Sequence, residues 1–280
     1  MVKYELIPQQ LQREGLVTAA NFFEPERVDF DTACLAHDSA YIHCLFDLAL
    51  DPKMIRRIGF PLSQALVDRE RYIVDGTIKS ALYARAHGVS FNTAGGTHHA
   101  GRDFGEGFCL MNDQAVAAAY LYKQSLARRI LIIDLDVHQG NGTADIFEDH
   151  ADILTFSMHG EKNFPFIKAR SHVDIGLDDG VGDAVYLEIL EKNLIPLFSA
   201  VKPDFVFYQA GVDILETDKL GKLKISADGC KQRDRLVLQL CRDQHVPVQI
   251  SMGGGYSSHI RDIVDAHVAT YRAAIDIFGF

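Results

Sequence analysis

The sequence has no apolar run long enough to cross a bilayer, no Cys-x-x-Cys pair and no surplus of basic charge. Its longest apolar runs, residues 130–133 and 205–208, fall far short of the ~20 residues of a membrane-spanning helix, so no membrane association is expected. Met1-Val2-Lys3-Tyr4-Glu5 lacks the apolar core of a secretory signal. The five cysteines (Cys34, Cys44, Cys109, Cys230 and Cys241) are odd in number and read mostly as core residues. That usage fits a reducing, cytoplasmic compartment. A net charge of −10 leaves no basic face to displace counterions from phosphates, which excludes direct nucleic-acid binding. It suits a soluble enzyme or a partner for cationic substrates. No repeat, low-complexity tract or linker divides the chain, so residues 1–280 are expected to form one domain.

What is present is an ordinary globular composition, 48% hydrophobic and 24% charged, and a recurring pattern. Short apolar runs at residues 89–92, 130–133, 153–156, 205–208 and 246–250 alternate with helical stretches. Runs that are apolar throughout, rather than alternating, are strands covered on both faces. The pattern predicts three layers, α/β/α, around a central, mostly parallel sheet. Helices are expected over residues 112–126, 183–200, 226–245 and 257–278. Ser226 is placed to cap the third, and Ile260, Ile263, Val264, Val268, Tyr271 and Ile275 give the last its core face. The first eighty residues read as helices and loops without a strand.

In each strand the chemically capable residues follow the apolar run, at the carboxyl end, where open α/β sheets hold their ligands. Asp134-Leu135-Asp136-Val137-His138 sets two carboxylates and an imidazole on one face of an extended segment. Buried side by side, they are costly unless a cation holds them. Asp213 follows Ala210-Gly211 at another strand end. Asp136, His138 and Asp213 would make a three-ligand site with a position left for water, a catalytic rather than structural arrangement. Zn²⁺ suits the ligand types best, with Fe²⁺, Co²⁺ or Mn²⁺ as alternatives. His98-His99, which must lie in a loop, suits general acid–base work on an activated water. Tyr256, after three glycines, is free to turn its phenol into the cleft as an oxyanion donor.

Five motifs together resemble the zinc-dependent histone deacetylase family. They are Gly96-Thr97-His98-His99-Ala100, Gly107-Phe108-Cys109, Asp134-Leu135-Asp136-Val137-His138-Gln139-Gly140-Asn141-Gly142, Ala210-Gly211-Val212-Asp213 and Gly253-Gly254-Gly255-Tyr256. Their order and spacing match over about residues 30–278, and the stretches at 139–142 and 213–221 look most like the class IV branch and its bacterial relatives. The resemblance implies the arginase/deacetylase fold, with Zn²⁺ on Asp136, His138 and Asp213. It implies His99 as general base and then acid, His98 as its helper held by Asp134, and Tyr256 as oxyanion donor. Gly107, Phe108, Leu220 and Gly254 would line a narrow channel for an acylated lysine, with Cys109 at its end. Carbonyls of Asp134, Asp136 and His138, with Ser157 and Met158, would hold a structural K⁺.

Two departures stand out. Asn141 replaces the aspartate that many members place behind the second histidine, which withdraws a charge that raises basicity. The family's first strand and histidine/proline-rich loop, ahead of the segment like Lys3-Tyr4, have no counterpart, so either the start is misassigned or trimmed or the sheet lacks an edge strand. Leu220 stands where polyamine deacetylases of the family carry a glutamate. An apolar residue does not attract a second ammonium, which favours acylated lysine of proteins or peptides over acetylpolyamines or another small acyl-amide. An arginase-like ureohydrolase needs further metal ligands where Gly140 stands, and a non-catalytic acyl-lysine reader needs no intact ligand set and no Tyr256. The oligomeric state stays open.

Overall fold

The computed structural model describes residues 2–279. Helices dominate the first part: α1 (Lys3–Arg13), α2 (Phe30–Ala33), α3 (Ser39–Phe46), α4 (Pro52–Ile58) and the long α5 (Gln64–His87), with a 3₁₀ turn at Ala19–Asn21. Then follow β1 (Val89–Asn92), α6 (Asp113–Lys123), β2 (Ile130–Asp134), α7 (Asn141–Phe147), β3 (Ile153–Gly160) and β4 (Val173–Leu177). The chain closes with α8 (Asp183–Val201), β5 (Phe205–Gln209), α9 (Ala227–Asp243), β6 (Val248–Ser251) and α10 (Ile260–Phe278). Side chains of Asn112, Ser63 and Ser226 cap α6, α5 and α9 by accepting from Ala115, Leu66 and Gly229 N–H groups.

The six strands are all parallel, in the order β1-β6-β5-β2-β3-β4. The central β2 and β5 are buried at every position, as runs without alternation require. Their side chains divide by parity. Leu131, Ile133, Val206 and Tyr208 pack with α8, α9 and α10, whereas Ile130, Ile132, Phe205 and Phe207 pack with α5 and α6. One sheet between two helical layers results. The register sets Asn92 beside Ser251, Ser251 beside Gln209, Gln209 beside Asp134, and Asp134 beside Ser157. The loops that leave this row therefore share one rim.

Three local expectations change. β4 is a strand that apolar runs could not reveal, because Val173-Asp174-Ile175-Gly176-Leu177 is a half-exposed edge. β3 continues past the expected end at Phe156, through Ser157 and Met158 to Gly160, so these two residues pair with β4. The last helix begins at Ile260, and that residue is 44% exposed instead of core-facing. β1, the first strand among the described residues, forms one edge of the sheet.

Candidate metal centre and active site

Asp136 and His138 leave β2, Asp213 leaves β5, His98 and His99 follow β1, and Tyr256 follows β6. All but the half-buried Tyr256 are buried. His138 Nδ1 lies 3.1 Å from Asp136 Oδ1 and 3.2 Å from Asp213 Oδ2. One ligand atom from each of the three falls within 4.8 Å of the others, the one such cluster among the described residues. Backbone donors fix the carboxylates: Gly254 N–H donates to Asp136 Oδ2 (2.7 Å), and Val137 N–H donates to Asp213 Oδ1 (2.9 Å). Gly254 has no alternative, because a Cβ there would collide with the Asp213 and Asp136 oxygens.

The electrostatics suit a cation. Burial and the neighbouring Asp136 raise the Asp213 carboxyl, against the pull of His138. Burial also opposes charge on Asp136, but His98 and His138 outweigh it and hold this carboxyl well below its ordinary range. Burial works against charge on His138 too, yet Asp136 and Asp213 raise it to about 10. Two carboxylates thus gather positive charge at one point, and a divalent cation would compete there with the imidazole proton. The donor set, two oxygens and one nitrogen, fits a borderline metal with open positions.

The two histidine rings lie side by side, tilted by 44° with centroids 4.1 Å apart, but face different partners. His98 Nδ1 lies 2.7 Å from Asp134 Oδ2. Against the cost of burial, Asp134 and Asp136 raise His98 to about 9. His99 is pushed well down by burial and by His98 and His138. Its Nδ1 is 2.6 Å from Asn141 Oδ1. Asn141 Nδ2 donates to Glu106 Oε2 (2.9 Å), whose other oxygen accepts from Arg57 Nε (2.6 Å). That order fixes the protons: the amide nitrogen is spent on Glu106, so its oxygen accepts from His99 Nδ1–H. The Nε2 lone pair of His99 is left free.

Sequence reasoning missed the residues that brace these loops. Asp113 accepts from the N–H groups of Gly96 and Thr97, and from the Thr77 hydroxyl. The fully buried Arg233 donates to the carbonyls of Leu135 (3.1 Å) and Gly211 (2.6 Å), tying the two ligand loops together. Lys3 Nζ reaches 2.8 Å from the Gly253 carbonyl, and Asp218 Oδ2 accepts from Tyr256 N–H at 2.6 Å. A buried lysine and a buried arginine are the available signal, but only the fold reveals that they are buried. Glu106 and Arg57 carried no spacing pattern at all.

A cavity of about 590 Å³ opens onto the centre, lined by Gly107, Phe108, Leu220, Gly254 and Tyr256 among others. Each expected channel residue lines it, and Tyr4, Glu70 and Cys109 line it too. Burial pushes the Cys109 thiol well up, so it is inert. The Tyr256 phenol is also raised, by burial and the Asp213 and Asp136 charges, and keeps its proton. Ser157 pairs with Asp134 across β2 and β3, its hydroxyl 2.9 Å from His159 Nδ1, and Met158 is buried beside it.

The comparisons agree with this geometry. The histone deacetylase domain matches residues 1–271. An uncharacterised protein of Picosynechococcus is 45% identical over 278 residues, 99% of this chain and 93% of that one. Histone deacetylase 2 of Arabidopsis thaliana is 34% identical over 94% of this chain and 71% of its own length. A solved structure of a histone deacetylase homologue complexed with SAHA, 26% identical, superposes with a TM-score of 0.83 over 98% of this chain and 77% of that one. The fold, the buried Asp/His/Asp centre and these matches lead to one conclusion: the chain belongs to the histone deacetylase family of metal-dependent amide hydrolases.

Proposed function

We propose that the protein removes acyl groups, foremost acetyl, from lysine side chains of proteins or peptides in a reducing cytoplasm. The observation that carries this reading is His99, its Nδ1 on Asn141 and its Nε2 free, beside the Asp136–His138–Asp213 cluster at one cavity. Zn²⁺ held by those three residues would polarise the amide carbonyl and lower the pKa of an attacking water.

The rest is the work of the chain itself. His99 Nε2 takes the proton of the attacking water and returns it to the leaving amine. Its Nδ1–H stays on Asn141 throughout, which preserves ring orientation. His98, held by Asp134, keeps positive charge near the developing oxyanion, and the Tyr256 hydroxyl donates to that oxygen. Gly107 and Phe108 wall the alkyl chain, and Leu220 gives the entrance no anionic group to draw a polyamine. A structural K⁺ on carbonyls of Asp134, Asp136 and His138 with Ser157 and Met158 finds support in the Asp134–Ser157 register.

The test is metal content by elemental analysis, together with hydrolysis of acetyl-lysine peptides, longer acyl-lysine peptides and acetylpolyamines. Asp213→Ala should lose metal and activity together. Tyr256→Phe should keep the metal and lose about 10²–10³ in kcat, as for other removed oxyanion donors. Metal-loaded protein inactive on every amide would refute the reading, and preference for acetylpolyamine would refute the substrate assignment.

A further inference from the structure

A second set of residues stands at the cavity entrance. Phe164 packs edge-on against the His99 ring, centroids 5.1 Å apart, and Phe166 packs in turn against Phe164. Beyond them Phe166 and Ile167 are 86% and 90% exposed, the most exposed large apolar side chains among the described residues. They are displayed from a pinned loop. Lys168 Nζ donates to the carbonyls of Asn163 and Pro165, both at 2.6 Å. Asn163 Nδ2 donates to Leu220 O (2.7 Å), and Lys222 Nζ donates to Lys162 O (2.9 Å), joining this loop to the one that carries Leu220.

The charge at this entrance opposes that of the whole chain. Lys162 and Lys222 both line the cavity and are exposed. Asp179 pairs with Lys162 at 3.8 Å across exposed side chains, and no carboxylate among the described residues forms an ion pair with Lys222. The nearby acids are otherwise engaged. Asp218 accepts from Leu220, Gly221 and Tyr256 N–H groups, and Glu106 holds Arg57 and Asn141. Glu161 folds its carboxylate against Gly176 of β4.

We propose that the rim formed by Phe166, Ile167, Lys162 and Lys222 docks a polypeptide whose acylated lysine is flanked by an acidic and an apolar residue. This inference rests on the deacylase reading and names its substrate class. A pinned loop loses little freedom on binding, so its apolar tips gain by being covered. The two ammonium groups attract carboxylates and repel lysine- or arginine-rich partners and polyamines alike. Net charge pointed to cationic substrates. The two lysines that line the cavity carry the opposite sign.

The test compares kcat/KM on acetyl-lysine peptides flanked by glutamate or by lysine, each with leucine or serine two residues on, and on a free acetyl-lysine amide. Glutamate flanks should exceed lysine flanks by about tenfold at low salt, a few-fold from each exposed lysine. The gap should narrow at high salt. Lys162→Glu combined with Lys222→Glu should invert the order, and Ile167→Ser should reduce the advantage of leucine over serine about fivefold. Equal rates on both flank charges, an unchanged order in the double variant, or the free amide matching the best peptide would each overturn the docking proposal. Failure of every amide to react would instead refute the deacylase reading beneath it.

Discussion

Replacing Glu70 by glutamine should stabilise the protein above neutral pH and do little below pH 5. Glu70 lies on α5, is 1% exposed and lines the catalytic cavity. One of its oxygens accepts from Arg69 at 2.8 Å, and the other has no partner. Burial raises its carboxyl from 4.5 to about 7, with Arg69 pulling the other way. Because Arg69 is 36% exposed, water weakens its compensation. Between pH 4.5 and 7 the folded state holds a proton that the unfolded chain has released. Stability therefore falls as pH rises through that window, by about 3 kcal/mol at ~1.4 kcal/mol per pH unit. Glutamine never ionises, so the variant escapes this loss. Urea unfolding of both proteins at pH 4.5, 6 and 8 measures the difference directly. The variant's advantage should grow by about 3 kcal/mol from the lowest pH to the highest. A difference that is flat with pH would refute the claim that a buried, half-satisfied carboxylate sits in this cavity.

Other predictions concern the same site and its supports. Saturating Zn²⁺ at ~1,000 times its Kd should add about 4 kcal/mol to stability, raising the melting temperature of the wild type but not of Asp213→Asn. Gly254→Ala should leave the circular dichroism spectrum unchanged yet weaken metal binding at least about tenfold, as displaced ligand supports do, measured by competition with a chromogenic chelator. Glu106→Gln should lower kcat about tenfold with KM nearly constant, since proton transfer but not substrate contact depends on it. His37 is pushed down to about 4 by burial, between Gly101 O and Asn112 N–H. The unfolded chain takes up a proton there first, so its contribution is complete above about pH 6.5 and lost toward pH 4, about 3 kcal/mol in all. Subtracting the His37→Asn stability profile from that of the wild type isolates it.

How much of this was legible in the sequence depends on the kind of signal. Strands β2, β3, β5 and β6 are buried almost throughout and announce themselves as apolar runs, whereas β1 is an edge strand whose central Ser90 and Phe91 are half-buried. β4 lies at an edge, half of it faces water, and Asp174 interrupts it. The buried Asp136–His138–Asp213 cluster was readable because polar residues directly after buried strands have few other reasons to be there. The resemblance already parted the roles expected of His98 and His99, and the structure places the partners that go with them, Asp134 and Asn141, at their Nδ1 atoms. Long-range partners were not readable. Glu106 reaches Asn141 across 35 residues, and Lys3 reaches Gly253 across 250, and no periodicity links such pairs. The charge at the entrance was not readable for a related reason: net charge averages over a surface, whereas the fold brings Lys162 and Lys222 to one cavity.

Asn141 deserves a physical account beside its aspartate counterpart. A carboxylate against His99 would add a fourth buried carboxylate to a region that already holds Asp134, Asp136 and Asp213, and each such charge costs desolvation. The amide avoids that cost and still fixes the ring, because its nitrogen is committed to Glu106. Glu106 can carry the charge more cheaply, since Arg57 neutralises it and reaches solvent, its side chain 43% exposed. The arrangement moves a negative charge one hydrogen bond outward. On the proposed mechanism His99 would be a weaker base than an aspartate-backed imidazole, which would slow proton abstraction but ease return of the proton to the leaving amine. Asn141→Asp should therefore raise the lower apparent pKa of the kcat/KM profile, since an added anion favours imidazolium. An unchanged acidic limb would show that His99 is not the group whose proton controls that limb.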